Sequence, residues 1–473
     1  MALIDLINGG LDVQGIVDNL IYVQREPIRR LEQQTKDWQN KISAYQAFNT
    51  KLLAFKTAVE SLLYKGEDAP LTLPTTFEQR LSHSLFALRK ATSSDETVLT
   101  ATAGKGLATG VFAVTVSSLA QADSYTSNNF ASSTATLTQT GTLIIQHGSD
   151  DPVTITIDET NNTLQGIRDA INAAGAGFTA SILNDGSATP YRLVITSDDS
   201  GTANALTITN NLNQGSGQAV TLTQTLAAAD AALQINGVDI VSSSNTVTGA
   251  IEGVTLQLKA ATGSATVTIE RDLDAIVEGL KDFAAKYNDV VSYIASQFRY
   301  DATKKEAGIL SGDYTLREAQ SRLSSALSRR IESDDASLVV LAQIGLKIGR
   351  DGTLSVDESR LKQSLSSDFR GTAHVLLADA LDDGGNTISI APALYNQLRS
   401  LTDTLEGPVF RAQDAIQQNI RRVNKQIEQM EQRLEVQRDL LILQFSRADQ
   451  ALKQLSVLQN SLASQISSLQ AFK

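Results

Sequence analysis

VFRAQDAIQQNIRRVNKQIEQMEQRLEVQRDLLILQFSRADQALKQLSVLQNSLASQISSLQAFK, Val409 to Lys473, is the stretch whose reading decides the fold. Ile416, Ile420, Val423, Ile427, Met430 and Leu434 alternate steps of four and three, and so do Leu441, Phe445, Ala448, Leu452 and Leu455, then Leu462, Ile466 and Leu469. No Pro follows Pro408 and no Gly follows Gly407. The spacing predicts one helix of roughly 65 residues, ~95 Å long, with a single narrow apolar seam. Gln437 falls on that seam, and two steps of four meet around Leu441 and Phe445, so the register shifts there as in a stutter. A helix with one seam cannot bury it against itself; it needs a partner helix from this chain or from another copy. Between Lys453 and Lys473 there is no charged residue, and the outer face is Ser, Gln and Asn. An amphipathic bundle helix accounts for most single positions, but the length and the uncharged tip favour packing between molecules.

The other end of the chain mirrors this one. After Gly9-Gly10-Leu11, Asp12 is placed to cap a short helix whose apolar face is Ile16, Val17, Leu20, Ile21 and Val23. Pro27 either separates that helix from a longer one or opens the longer one at its first turn. Ile28, Leu31, Trp38, Ile42, Tyr45, Leu52 and Val59 then keep heptad spacing, with Phe48, Phe55 and Leu62 alongside. The economical expectation is that the two terminal helices pack on each other and the middle of the chain is inserted between them.

In that middle the period changes from helical to alternating. Pro70 and Pro74 punctuate a loop. Val98–Thr102 and Val111–Val116 around a Gly-rich turn at Gly104–Gly110 predict a β-hairpin. That loop holds Lys105 but lacks phosphate-loop spacing. Strands are expected at Thr142–Ile145, Val153–Ile157, Phe178–Leu183, Tyr191–Thr196 and Ala205–Thr209. A helix Leu164–Ala174 is capped by Thr163 and closed by Gly175. Asn184-Asp185-Gly186 and Asp198-Asp199-Ser200-Gly201 read as turns; neither completes a calcium loop. Asn236-Gly237 sits between Leu233–Ile235 and Val238–Ile240 as a hairpin turn. Ile251–Leu258 and Ala265–Ile269 complete this second β region, paired with the 97–116 strands. Helices return from Asp272, with Ile276, Leu280, Phe283, Tyr287, Val290, Ile294 and Phe298 on one face. A polar loop at Tyr300–Gly308, a helix about Tyr314–Ile331, a small hairpin about Arg350-Asp351-Gly352, a short helix Asp357–Leu365 and a turn at Asp382–Asn386 follow.

Composition narrows the function classes. A chain of 473 residues has room for two to four domains. A net charge of −12 makes it a poor binder of nucleic acid or anionic membrane. It has no Cys, so neither disulfides nor thiolate metal sites can form, and its three His stand far apart. No cleavable signal peptide and no membrane span are visible. No carboxylate pairs with a nucleophile or His in a catalytic motif, so the reading is of a protein that is not an enzyme and needs no cofactor. Asn161-Asn162-Thr163 is a formal glycosylation sequon, best explained as the polar lead-in to a helix.

Several stretches resemble one family, the bacterial flagellar filament-capping proteins (hook-associated protein 2). Gly10-Leu11-Asp12-Val13, Ile16-Val17-Asp18, Glu26-Pro27 and Leu31 are similar to the family's opening motif. Thr163-Leu164 through Ile171-Asn172-Ala173-Ala174, Phe178-Thr179-Ala180-Ser181 and Arg192–Ser197 resemble the flagellin hook IN motif. Ile235-Asn236-Gly237-Val238, Asn245 and Gly253–Lys259 are similar to the second β region. Phe283, Tyr287-Asn288, Leu310–Asp313, Ile344-Gly345-Leu346 and Asp351–Asp357 are similar to the C-terminal half. Pro70–Leu88 carries no family motif.

The resemblance implies an α+β multidomain chain, with long N- and C-terminal helices as a coiled-coil or helical-bundle stem and nested β-rich domains between them. The expected domains are terminal coiled-coil helices at 1–45 and 430–473, a helical bundle at 46–80 and 271–429, a β-rich domain at 81–120 and 226–270, and an inserted β-rich domain at 121–225 with the IN motif. It further implies a secreted protein at the distal tip of the flagellum that forms a ring of about five or six copies. That ring would help exported flagellin fold and insert and prevent its loss. Flagellin, the hook-filament junction proteins and an export chaperone of the flagellar type III system would be its partners. Another axial subunit, such as a junction protein or a flagellin, shares the IN motif and paired terminal helices. A secreted adhesin with β domains binding host glycans is a further reading. The oligomer or filament interface is expected on the helical seams, at Ile28, Leu31, Ile42, Leu434, Leu441, Phe445, Leu452, Leu455, Leu462, Ile466 and Leu469, with Leu452, Leu455, Leu462 and Ile466 foremost.

Overall fold

The computed structural model describes residues 12–64, 76–212, 218–301, 306–331, 338–378 and 389–470. Part of the opening motif, the Pro70–Pro74 loop and the Asp382–Asn386 turn lie outside these residues. The chain divides into two compact units, Met1–Leu63 with Gly279–Lys473, and Tyr64–Glu278.

In the helical unit, Asp12 caps α1 (Val13–Gln24) by accepting from the Gly15 N–H at 2.9 Å. α2 (Glu26–Leu63) holds Pro27 in its first turn, where a missing N–H leaves no helical bond unmade. Its buried positions change along its length. Tyr45, Phe48, Leu52, Phe55, Val59 and Leu62 form a continuous buried stripe, whereas before Ala44 only Ile28 and Thr35 are buried.

The β unit opens with α3 (Phe77–His83), followed by β1 (Arg89–Ser93), β2 (Leu99–Ala103) and β3 (Gly110–Ser118). Then come β4 (Ala122–Ser127), β5 (Gly141–His147), β6 (Val153–Ile157), α4 (Leu164–Ala174), β7 (Phe178–Asn184), β8 (Tyr191–Ser200), β9 (Leu206–Leu212) and β10 (Leu222–Leu226). β11 (Ala231–Ile235), β12 (Val238–Ser242), β13 (Thr246–Ile251), β14 (Val254–Leu258) and β15 (Gly263–Arg271) complete it.

Two sheets, β1-β15-β3-β11-β12 and β13-β14-β2, enclose one core around Leu99, Val114, Leu233, Leu256 and Val267. The expected hairpin of 97–116 is not formed. β2 pairs with β14 and β3 lies between β15 and β11, so the Gly-rich connection crosses from one sheet to the other. Alternation locates a strand but not its neighbour, because both sheets present an apolar face to the same core. Ile251–Leu258 is likewise two strand pieces, broken at Gly253, whose φ of 68° suits a turn. β8 runs through Asp198–Ser200, which was expected as a turn. Asn236 and Gly237 adopt φ of 49° and 84°, the double left-handed geometry of a tight hairpin turn.

The segment from β4 to β10 has a core of its own. Sheets β10-β4-β8-β7 and β6-β5-β9, with α4, bury Leu143, Ile145, Ile167, Ile171 and Leu193. Thr163 caps α4 by accepting from the Gly166 N–H at 2.9 Å, and Gly175 closes it at φ 58°. Where the segment joins its host, the Asn245 amide accepts from the Ala120 N–H at 2.8 Å and donates to the Ala120 carbonyl at 2.9 Å.

Within α5 (Leu273–Phe298) the chain passes back to the helical unit. β16 (Tyr300–Asp301) and β17 (Glu306–Ala307) form a short ladder inside the expected polar loop. α6 (Tyr314–Leu327), the hairpin of β18 (Leu346–Ile348) and β19 (Leu354–Val356), α7 (Glu358–Ser367), α8 (Phe369–Leu377) and α9 (Ile390–Leu401) follow. α10 (Pro408–Gln470) is a single helix of 63 residues. Phe55 packs on Phe283 at 5.5 Å and on Tyr287 at 5.6 Å, centre to centre, and Phe48 stacks on Tyr293 at 6.0 Å.

Polar pins fix the aromatic layer. The Tyr293 hydroxyl donates to the Ala44 carbonyl at 2.6 Å, and the Tyr45 hydroxyl donates to the Asp313 carboxylate that caps α6. Burial, and then that carboxylate, push the Tyr45 phenol above its ordinary range. Asn288 behaves as an extra strand residue: its amide donates to the Leu354 carbonyl at 2.8 Å and accepts from the Leu354 N–H at 2.7 Å. α9 packs on α2 and α6, closing the bundle. Long terminal helices with β-rich regions between them agree with the fold class read from the sequence.

Candidate functional site: the C-terminal helical seam

α10 begins as a core helix. Val409, Ile420 and Val423 are buried, and the helix packs on α2 and then on α1. α1 lies antiparallel to it. Arg25 pairs with Glu431 at 2.5 Å, and Asp18 with Arg438 at 3.1 Å, seven residues apart on each helix in opposite directions. A groove of about 210 Å³ between the two helices is lined by Ile21, Arg25, Glu431, Leu434, Glu435 and Arg438. These ion pairs are exposed at both ends, so they set the register more than they hold the helices together.

Beyond this contact the cover thins. Leu434, Leu441 and Phe445 are half-buried. Leu452 is 37% exposed, Leu462 and Ile466 are each 56% exposed, and Leu455 is 61% exposed. Leu458, 59% exposed, widens the bare apolar stripe, while Val457, 69% exposed, lies on the face away from it. On α2, Ile28 is fully buried within the chain, while Leu31 and Ile42 are half-buried. The side chain of Leu469 lies outside the described residues.

The structure therefore divides the expected seam positions into a covered group, Ile28 with its half-buried neighbours, and a bare group from Leu452 to Ile466. The two ion pairs were missed in the sequence reading. Their signal was present: Asp18 and Arg25 carry signs opposite to Arg438 and Glu431 at the same spacing. It cannot be used until the two helices are known to run antiparallel.

Nothing in this site resembles a catalytic arrangement. Among the described residues, no three His, Asp or Glu gather as a metal ion would require, and no helix is long and apolar enough to cross a membrane. What the arrangement offers is a long, uncharged, apolar helical face.

Comparison with known proteins places the chain. Residues 9–123 match the family model described as the flagellar hook-associated protein 2 N-terminus, and residues 228–457 match that of its C-terminus. Residues 136–199 match the flagellin hook IN motif. The flagellar hook-associated protein 2 of Escherichia coli K12 is 32% identical over 97% of this chain and 95% of its own length. The B-type flagellar hook-associated protein 2 of Pseudomonas aeruginosa is 26% identical over 99% of this chain and 98% of its own. The crystal structure of the D1-D2-D3 domains of the flagellar cap protein FliD from Escherichia coli is similar at 33% identity and a TM-score of 0.59. It covers 79% of this chain and 99% of that one. With similarity running along nearly the whole length, the chain belongs to the flagellar hook-associated protein 2 family.

Proposed function

We propose that this chain is a structural assembly protein, secreted and placed at the distal end of the bacterial flagellar filament. There it forms an oligomeric cap that promotes folding and insertion of exported flagellin and prevents its loss. Family membership supports the location and the class. The observation that carries the assembly role is the bare seam from Leu452 to Ile466 on a helix whose first turns, at Val409, Ile420 and Val423, are buried in the chain's own core. Such a face, left to water, is strongly disfavoured and gains stability when another helix covers it. The chain acts by binding and not by catalysis.

In this reading the partners are further copies of the chain, in a ring of about five or six, together with flagellin, the hook-filament junction proteins and an export chaperone. The terminal helices (1–45 and 430–473) engage other molecules, the bundle (46–80 and 271–429) anchors them, and the β-rich domains (81–120 with 226–270, and 121–225) form the outer plate. The absence of Cys suits a chain exported unfolded, because no stray disulfide can trap it.

The test is complementation of a strain lacking its own cap. Leu452, Leu455, Leu462 and Ile466 are each changed to Asp, and motility and flagellin shed into the medium are measured. The variants should export normally, keep their β unit folded and shed flagellin. Variants that restore full motility would overturn the assignment of these residues.

A further inference from the structure

From Leu441 onward the seam, bare from Leu452, follows one strict heptad. Ala448, Leu455 and Leu462 repeat every seven residues, and so do Phe445, Leu452, Gln459 and Ile466. In coiled-coil terms the second series occupies the a positions and the first the d positions. Gln459 is therefore a lone amide in the middle of an otherwise apolar seam, and in the single chain it is exposed.

We propose that this distal half of α10 pairs with the same segment of a second copy, parallel and in register, and that Gln459 is the residue that sets the register. The proposal rests on reading the bare seam as intermolecular. Three observations select the occupant. The seam continues the stripe that α1 covers upstream, so it is an extension of a helix-pairing surface already in use. Between Leu452 and Ile466 the positions that flank the core in a parallel pair are Leu458 and Gln465 on one side and Ser456 and Ala463 on the other. None is charged, so two identical helices meet without like-charge repulsion. Finally, a buried glutamine must find a hydrogen-bonding partner or lose the water it had. In a parallel, in-register pair it meets the Gln459 amide of the second copy, which can donate and accept in return. A slip of one heptad sets it against Leu452 or Ile466. In an antiparallel pair it lies in a layer with leucines. The amide thus penalises the alternatives, as a single polar a position does in coiled coils, at some loss of total stability.

The chain has no Cys, so single cysteines report without background. Full-length Gln459→Cys, Ile466→Cys and Val457→Cys chains are treated with a short bis-maleimide across a range of protein concentrations. Val457 lies on the outer face of the heptad and serves as the control. Gln459→Cys and Ile466→Cys should each give covalent pairs at about tenfold the yield of Val457→Cys, since a positions face one another only in a parallel pair. Equal yields from all three would overturn the proposal. So would cross-linking that appears only when Gln459→Cys is mixed with Leu455→Cys, the mark of an antiparallel pair. A Gln459→Leu chain should associate at lower concentration yet allow Leu455→Cys to link to Leu462→Cys, the one-heptad slip that the native amide suppresses. If Gln459→Leu leaves both association and register unchanged, the role given to Gln459 is wrong. If light scattering shows one chain per particle at every concentration while the protein still caps filaments in cells, self-pairing falls and the capping function stands.

Discussion

The two halves of α10 carry the same alternation of threes and fours, yet one is core and the other is surface. Val409, Ile420 and Val423 are buried against the chain's own helices, while Leu455, Leu462 and Ile466 are more than half exposed. The difference lies in the neighbours and in the outer faces. The proximal half carries Arg, Lys and Glu on its solvent side, as a helix with a settled inside and outside does. The distal half has no charge between Lys453 and Lys473 and no described helix across its seam. Periodicity marks a face that wants cover; it does not say which molecule supplies it.

The largest expected effect sharpens this contrast at its covered end. Phe55→Ala removes a fully buried ring between Phe283 and Tyr287 and should destabilise the helical unit by about 3–5 kcal/mol. Leu455→Ala in the dissociated chain should change stability by no more than ~0.5 kcal/mol. Hydrogen exchange of the α2 amides in urea reads both without assuming that the units unfold together. A comparable loss from Leu455→Ala would mean the distal half is packed within one molecule. Next comes Asn288→Ala, which leaves the Leu354 N–H and carbonyl without the side-chain amide. A loss of ~1–3 kcal/mol is expected, visible as early exchange of the β18–β19 hairpin.

At the junction between the halves, a double-mutant cycle on Asp18→Ala and Arg438→Ala should return a coupling of ~0.2–1 kcal/mol that fades in high salt. A coupling several times larger, insensitive to salt, would mean that α1 is held by charge and not by its apolar face.

The smallest effect concerns acid. Burial, and then the nearby Arg370 charge, depress the pKa of His374 on α8 from its ordinary 6.5. The folded state then binds a proton less readily than the unfolded one. This contribution to stability is complete above pH 6.5 and is lost as pH falls toward the folded-state pKa. His374→Gln should flatten the acid side of the helical unit's stability profile. The distal seam has no titratable side chain from Gln454 to Phe472, so its association should show no matching dependence. A parallel pH dependence of the two would mean that the distal seam and the helical core are energetically linked.

Much of this molecule was fixed by local chemistry. Asp12, Thr163 and Asp357 cap helices because a short oxygen-bearing side chain reaches the free N–H groups of a first turn. Asn236-Gly237 turns because both residues tolerate positive φ. The length of α10 follows from an unbroken period without Gly or Pro, and the family motifs lie in order along the chain. Those features depend on residues a few positions apart, which is the range that sequence displays. What sequence left open depends on distance in space. Two apolar strands, β2 and β3, were adjacent in sequence but belonged to different sheets, because one core accepts an apolar face from either side. Asn288 became meaningful only when Leu354 arrived beside it. The seam of the terminal helices was legible as a seam, but only the tertiary structure decided that Ile28 is spent inside the chain while Leu455, Leu462 and Ile466 remain bare. Burial is a property of what packs against a residue, and the sequence states only what each residue would prefer.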